Sequence, residues 1–175
     1  ILFSPSDHML ATDGDGIRNY YALAYQMAHD SGFHFSGMNY PYGETIFYTD
    51  SHPLLSLLLS WIPGVNAVWI INVLVVTAMP LTAWAMYALL RTLRVHRPYA
   101  VLFALGIAFL SPLVWRMGGH YSLCYGYVIP LCLRWLVLSF RSPNWTPYLW
   151  YGLTVFLVAM IHPYAGLMIG LLGLG

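Results

Sequence analysis

The sequence predicts an all-α fold, a polytopic transmembrane helical bundle preceded by an extracytoplasmic loop that carries short interfacial helices. Apolar residues make up 59% of the 175 positions and charged residues only 7%, whereas a soluble domain has about 25% charged residues. All six carboxylates lie in the first 50 positions, so a polar segment precedes an apolar body. We therefore divide the chain into an acidic loop, residues 1–53, and a transmembrane region, residues 54–175, and interpret both as a fragment of a longer protein.

The acidic loop contains a predicted amphipathic helix from Ile17 to Ser31, where apolar side chains recur at helical spacing. We expect this helix to lie along the membrane surface, with the polar Arg18 and Asn19 facing away from the buried side. The side chains expected to be buried are Tyr20, Ala24 and Met27.

The rest of the chain contains six apolar runs. Leu54 to Ile62 has nine residues and is too short to cross a bilayer, so it is predicted to be an interfacial helix. Four of the others are predicted to span the hydrocarbon region of about 30 Å, although the third span is short and must be tilted or shielded by its neighbours, and the last run begins a fifth span. The predicted spans are Val65–Leu90, Tyr99–Trp115, Val128–Phe140, Thr146–Ile161 and Tyr164–Gly175.

The distribution of arginine predicts the orientation. Arg91, Arg94 and Arg97 lie between the first two spans and Arg141 follows the third. Arginine-rich loops face the cytoplasm, so residues 1–53, 116–127 and 162–164 are expected on the opposite side. The acidic segment, residues 118–122 and His162 are then expected to converge on one extracytoplasmic face.

Asp13 and Asp15 form the tightest acidic pair and directly precede the first helix. A carboxylate at this place can act as a general base on an acceptor hydroxyl, or it can bind a divalent cation through its hard oxygen atoms. The helix N-terminus would also attract a phosphate. Asp15 has a second interpretation that stays open, as the residue that caps the helix N-terminus.

Five further residues on the same predicted face are candidates for substrate binding. Arg18, Arg116 and His120 can compensate the charge of a phosphate leaving group, although His120 is alternatively an ordinary loop histidine. Glu44 is either a second acid of the site or a solvated turn residue. His162, before a proline, is either a ligand or a hydrogen-bonding residue at a helix end.

Several classes of function have no support in the sequence. No glycine-rich nucleotide-binding loop is present, which favours a lipid-linked phosphate donor over a soluble nucleotide. No basic patch suited to nucleic acid is present either. Cys124 and Cys132 lack metal-ligand spacing and are interpreted as apolar filling.

The arrangement resembles the GT-C superfamily of multi-pass glycosyltransferases. Ile1 to Phe3 matches the end of the first membrane helix of that superfamily, and Asp13-Gly14-Asp15 matches the acidic motif of its first extracytoplasmic loop. Two stretches, Gly14–Tyr21 and Gly37–Glu44, are also similar to uncharacterised bacterial membrane proteins of this type. Two departures are that the acids are not adjacent and that no second acidic loop follows residue 115.

The resemblance implies a glycosyltransferase of the bacterial plasma (inner) membrane that transfers a sugar from a polyprenyl-phosphate-linked donor. Asp13 and Asp15 would be its base or, with a divalent cation, its metal ligands. Membrane lipids would be further partners. Two alternatives remain, a polytopic transporter or flippase and a non-catalytic subunit with partners in a larger membrane complex.

Overall fold

The structure is a computed structural model that describes residues 4–11, 14–49 and 52–174. The described residues are mostly helical and contain one two-stranded antiparallel sheet, which confirms the predicted all-α class. Ile1 to Phe3, Asp13 and Asp50 lie outside the described residues. The elements are α1 (Gly14–His29), β1 (His34–Phe35), β2 (Glu44–Thr45), α2 (Pro53–Leu59), α3 (Ala67–Thr92), α4 (Arg97–Leu110), α5 (Val128–Arg141), α6 (Thr146–Ala159) and α7 (Pro163–Leu171).

Within the part of the chain that the structure describes, two helical segments are long and apolar enough to span a membrane: α3, and Arg97–Gly118, which joins α4 to the 3-10 turn Pro112–Gly118. Only 28% and 17% of their apolar stretches are buried inside the protein. The core helix of a soluble protein would be mostly buried. These outward apolar faces therefore support residence in a membrane.

The last three predicted spans form helices at the expected places. The helices α5 and α6 have 14 residues each and α7 has 9. At 1.5 Å per residue a 14-residue helix is about 21 Å long, shorter than the hydrocarbon core of about 30 Å. That these three helices also cross the bilayer therefore stays a prediction. The predicted interfacial helix is present as α2 and is separate from α3, with a turn between them.

The helix α3 is the centre of the fold because α4 and α5 both pack on it, while α6 packs on α5 and α7. One apolar cluster joins four of these helices through Ala78, Cys132, Val158 and Ile169. Cys124 and Cys132 are free thiols and buried, which agrees with their interpretation as apolar filling.

The buried face of α1 differs from the predicted one. Tyr20 is buried as expected, but Ala24 is exposed and Met27 is only partly buried. Asn19, predicted to face outward, is fully buried. The physical reason is that buried backbone carbonyl groups need donors, and the side-chain amides of Asn19 and Gln26 provide them. Helical spacing indicated which apolar residues share a face of α1. It did not indicate the polar contacts of Asn19 and Gln26, which set the rotation of α1 about its own axis.

Candidate functional site

The first turn of α1 packs directly against the loop that follows the 3-10 turn Pro112–Gly118. The side-chain amide of Asn19 donates to the carbonyl of Gly119 at 3.0 Å and to the carbonyl of Asp15 at 2.9 Å. Gly16 is required at this contact because a Cβ atom there would lie 2.5 Å from the Cβ of Ala11 and 3.2 Å from the hydroxyl of Tyr121. These contacts fix the position of the Asp15 backbone relative to the loop.

A second buried hydrogen-bond network holds α1 against α3. The hydroxyl of Tyr20 donates to the side-chain oxygen of Asn72 at 2.5 Å and accepts from the backbone N–H of Leu10 at 3.0 Å. The amide nitrogen of Asn72 donates to the carbonyls of Pro5 and His8, both at 2.6 Å. The segment before the acidic motif is therefore tied to the spanning helix α3.

Asp15 lies between two nitrogen-bearing side chains. One carboxylate oxygen is 3.3 Å from a guanidinium nitrogen of Arg18, and the other is 3.4 Å from Nε2 of His120. The helix α1 begins at Gly14, so Asp15 lies within its first turn, and its side chain contacts Arg18 and His120. The capping interpretation of Asp15 stays a prediction, because residues 12 and 13 before the helix lie outside the described residues. Asp13, the other predicted catalytic acid, lies outside the described residues.

Asp15 and His120 line an open cleft of about 330 Å³ and are accessible to solvent there. Its charged and polar lining includes Asp15, Arg116 and His120, and the indole ring of Trp115, 88% exposed, forms another part of its wall. Arg18 reaches the site through its contact with Asp15. The cleft thus combines one carboxylate, one guanidinium group and an imidazole with an accessible aromatic ring, and the Arg18 guanidinium contacts its carboxylate. The other lining residues are Gly14, Gly118 and Gly119.

An apolar cavity of about 230 Å³ lies along the next residues of the same loop. Gly118 to His120 line the cleft, and Ser122 and Leu123 line the cavity. Aliphatic side chains of α5, α6 and α7 provide most of the remaining wall. One loop therefore borders a polar site and an apolar site. The cavity is completed by Leu113, Tyr125, Gly126, Val128, Ile129, Val158, Ile161, His162, Ala165, Met168 and Ile169.

The buried groups of this loop remain protonated at neutral pH. Burial raises the pKa of the Cys124 thiol to about 11 and raises the pKa of the Tyr121 hydroxyl above its ordinary value. A neutral thiol is a poor nucleophile, and a neutral phenol is a donor and not a base. Neither residue is suited to activate a reactant, so the chemistry of the site rests on the groups of the cleft.

Three of the five predicted substrate-binding residues do not line the cleft: Arg18, which only contacts its carboxylate, Glu44 and His162. The carboxylate of Glu44, in β2, accepts a hydrogen bond of 2.6 Å from the Asn39 side chain within the same turn. His162 precedes α7, and its Nδ1 accepts from the backbone N–H of Ala165 at 3.3 Å. His162 therefore forms the hydrogen bond at a helix end and also borders the apolar cavity.

A divalent cation bound by Asp13 and Asp15 stays a prediction, because Asp13 lies outside the described residues. Among residues 4–11, 14–49 and 52–174 no three His, Cys, Asp or Glu side chains converge. Each oxygen of Asp15 already faces a basic group, Arg18 or His120. The Arg18 guanidinium beside one of these oxygens disfavours a cation at that oxygen.

Sequence reasoning missed two residues of this site. Trp115 was assigned only as the end of a span, although its position next to Arg116 and before two glycines could have indicated an exposed ring near a charged loop. Asn19 was placed on the solvent side, and no pattern in the sequence indicates its bond to Gly119, which lies 100 positions away.

The comparisons with known proteins identify the family. The chain belongs to the family described as a domain of unknown function (DUF6311), whose model matches residues 2–175. No curated protein and no solved structure matches the chain. The geometry of the cleft and its neighbouring cavity therefore carries the functional argument.

Proposed function

We propose that this member of the DUF6311 family is a multi-pass membrane glycosyltransferase of the GT-C type. It would transfer a sugar from a polyprenyl-phosphate-linked donor to an acceptor on the extracytoplasmic face of the bacterial inner membrane. The observation that carries the proposal is the position of a charged cleft beside an apolar cavity along one loop. A lipid-linked sugar phosphate has a charged head and an apolar tail, so it needs both environments next to each other.

The membrane topology of this proposal rests on the helix ends. Arginines lie at one end of α3, α4 and α5, and exposed aromatic side chains lie near both ends of the helices. Such aromatic side chains are enriched at both water–lipid interfaces. With the arginine-rich end in the cytoplasm, the cleft opens on the extracytoplasmic side. The aromatic side chains include Trp61, Trp69, Trp115 and Tyr164 at the cleft end and Tyr99, Trp145 and Tyr148 at the arginine end.

The charges of the cleft suit displacement of a phosphate. The acceptor hydroxyl would attack the anomeric carbon while the carboxylate of Asp15 takes its proton. The bond between that carbon and the phosphate oxygen would break, and its electron pair would leave with the lipid phosphate. Arg116 and Arg18 would balance the added negative charge. Asp15 keeps free lone pairs for a proton because each carboxylate oxygen has two.

The energetics of the ion pairs also favour a functional role. The Asp15, Arg18 and His120 side chains are 43%, 63% and 39% exposed. Ion pairs this accessible contribute about 0–1 kcal/mol to stability. Stabilisation of the fold is therefore a weak explanation for why these charged groups lie together at one end of an apolar helical protein. Trp115 offers a ring face on which a sugar can stack.

The test uses the full-length protein in lipid nanodiscs with farnesyl-phosphate glucose, mannose and galactosamine as donors and a membrane extract as the source of acceptor. Mass spectrometry measures the farnesyl phosphate released. We expect release from at least one donor, and a decrease of about a hundredfold in Asp15→Asn, because a positioned general base contributes 10²–10⁴-fold. The matched control is Asp7→Asn, since Asp7 is exposed and does not line the cleft.

Three outcomes would overturn the proposal. Release no greater than from empty nanodiscs would remove the transferase activity, and an equal loss in Asp7→Asn would remove the specific role of Asp15. Movement of intact donor across a sealed proteoliposome without cleavage would favour the transporter alternative.

A further inference from the structure

The end of the helices opposite the cleft carries a concentrated positive charge. Four of the seven basic residues of the chain lie here, and residues 51–175 contain no Asp or Glu. Arg91 is in the last turn of α3, Arg97 is the first residue of α4 and Arg141 is the last residue of α5. Arg94 lies in the loop between α3 and α4. We call these four residues the arginine end.

The fold brings the two loops of the arginine end together. The guanidinium of Arg141 donates to the backbone carbonyl of Thr92, which places the end of α5 at the end of α3. The guanidinium of Arg91 donates to the carbonyl of Val95 at 2.7 Å. These two arginines satisfy helix-end and loop carbonyls, which is an ordinary structural role.

The other two arginines have no such role among the described residues. Arg94 and Arg97 are both exposed, and neither makes a side-chain hydrogen bond or ion pair with another described residue. Arg94 also adopts a left-handed backbone conformation, with φ of 66°, at the turn from α3 into α4. The guanidinium groups of Arg94 and Arg97 are therefore exposed. Those of Arg91 and Arg141 lie nearby, and each uses one of its N–H donors in the bonds above.

The neighbouring aromatic side chains indicate where this end lies in a bilayer. Tyr99 is 60% exposed, Trp145 is 71% exposed and Tyr148 is 54% exposed, and all three are within the first residues of α4 or α6 or just before them. Exposed Tyr and Trp at helix ends lie at the level of the lipid headgroups. With α3 and α4 in a bilayer, the arginine end would therefore lie at headgroup depth.

From this charge and position, we propose that the arginine end binds the headgroups of anionic phospholipids in the leaflet that it faces. Lipid phosphates would receive hydrogen bonds from Arg94 and Arg97, since guanidinium groups pair well with phosphate. No carboxylate of residues 51–175 competes for these cations. The proposal requires only that α3 and α4 enter a membrane, and it is independent of the glycosyltransferase activity.

The test measures lipid preference in the full-length protein. Native mass spectrometry in detergent, at near-physiological ionic strength, follows the binding of phosphatidylglycerol and of zwitterionic phosphatidylcholine. We expect the wild type to prefer phosphatidylglycerol, and the double variant Arg94→Gln/Arg97→Gln to lose about 25-fold of that preference, because each basic residue near an anionic surface contributes about fivefold. These two positions are exposed, so the variant should keep its fold, which its thermal melting temperature checks.

The matched control is Arg94→Lys/Arg97→Lys, which keeps both positive charges at the same exposed positions and should retain the preference for phosphatidylglycerol. Equal binding of the two lipids by the wild type would overturn the proposal. A preference retained in the folded double variant would do the same. Release of an acidic protein from purified membranes by the double variant, with lipid preference unchanged, would assign the arginine end to a protein partner instead.

Discussion

The side-chain amide of Asn19 donates a hydrogen bond of 3.0 Å to the backbone carbonyl of Gly119. This bond joins the first turns of α1 to the residue that precedes His120. The same amide also donates to the carbonyl of Asp15 at 2.9 Å. A single fully buried side chain therefore sets the distance between the two halves of the Asp15–His120 pair.

Replacing Asn19 should disturb both stability and the site. Asn19→Ala leaves the buried Gly119 carbonyl and the partly buried Asp15 carbonyl without this donor, and we expect the free energy of unfolding to fall by about 1–3 kcal/mol. Thermal unfolding in detergent measures this change. Asn144→Ala is the control because Asn144 is exposed. Equal melting temperatures for Asn19→Ala and wild type would show that the bond does not hold the loop.

The hydrogen-bond network that holds α1 against α3 can be tested by removing the Tyr20 hydroxyl group. Tyr20→Phe removes the hydroxyl that donates to Asn72 and accepts from Leu10. We expect faster hydrogen exchange at residues 4–11, because their tie to α3 is weakened. Tyr21→Phe is a matched control, since the Tyr21 hydroxyl donates to the Gly37 carbonyl at an exposed position. Unchanged exchange in Tyr20→Phe would show that this network does not hold residues 4–11 against α3.

Most of the fold could be predicted from the sequence because hydropathy and helix-breaking residues are local signals. Val65–Leu90 was predicted as the first span and α3 extends from Ala67 to Thr92. The short sheet of β1 and β2 was not predicted. Its two-residue strands are too brief for an alternating pattern to be visible in the sequence.

Less of the candidate site could be predicted, because its contacts are not local. The sequence placed Asp15, Arg116 and His120 on one face, and the structure brings all three to one cleft. It also grouped Glu44 with them, whereas Glu44 forms its hydrogen bond to Asn39. Spacing along the chain does not show which polar residue finds its partner within its own turn.

The orientation of the helices predicts opposite accessibility at two exposed positions. Single cysteines at Ser36, after β1, and at His96, between α3 and α4, should react with a membrane-impermeant maleimide from opposite sides of the membrane. Both positions are exposed in the fold. Labelling in intact cells, compared with labelling in inverted vesicles, measures the side. Reaction of both cysteines from the same side would remove the proposed topology.

The buried thiol of Cys124 should react slowly and with a clear pH dependence. Its pKa is raised to about 11 by burial, so the neutral form dominates below that pH and the thiolate fraction increases about tenfold per pH unit up to it. In a Cys132→Ala background, alkylation by iodoacetamide between pH 7 and 9 should follow that increase. Ser36→Cys, in a variant that lacks both native cysteines, is the exposed control. A Cys124 rate equal to the control rate at pH 8 would contradict the burial.

The last prediction concerns Asp15 and His120, which are 3.4 Å apart. If the two residues act as one unit, removing either breaks the unit, so the double variant Asp15→Asn/His120→Gln should be no slower in donor cleavage than the slower single variant. Independent contributions would instead multiply. Melting temperatures separate this from a structural role: because the pair is half exposed, we expect each single variant to unfold within about 1 kcal/mol of wild type. Multiplying effects on cleavage, with stability unchanged, would show that Asp15 and His120 contribute separately, and large losses of stability in the single variants would assign the pair to holding α1 against the loop.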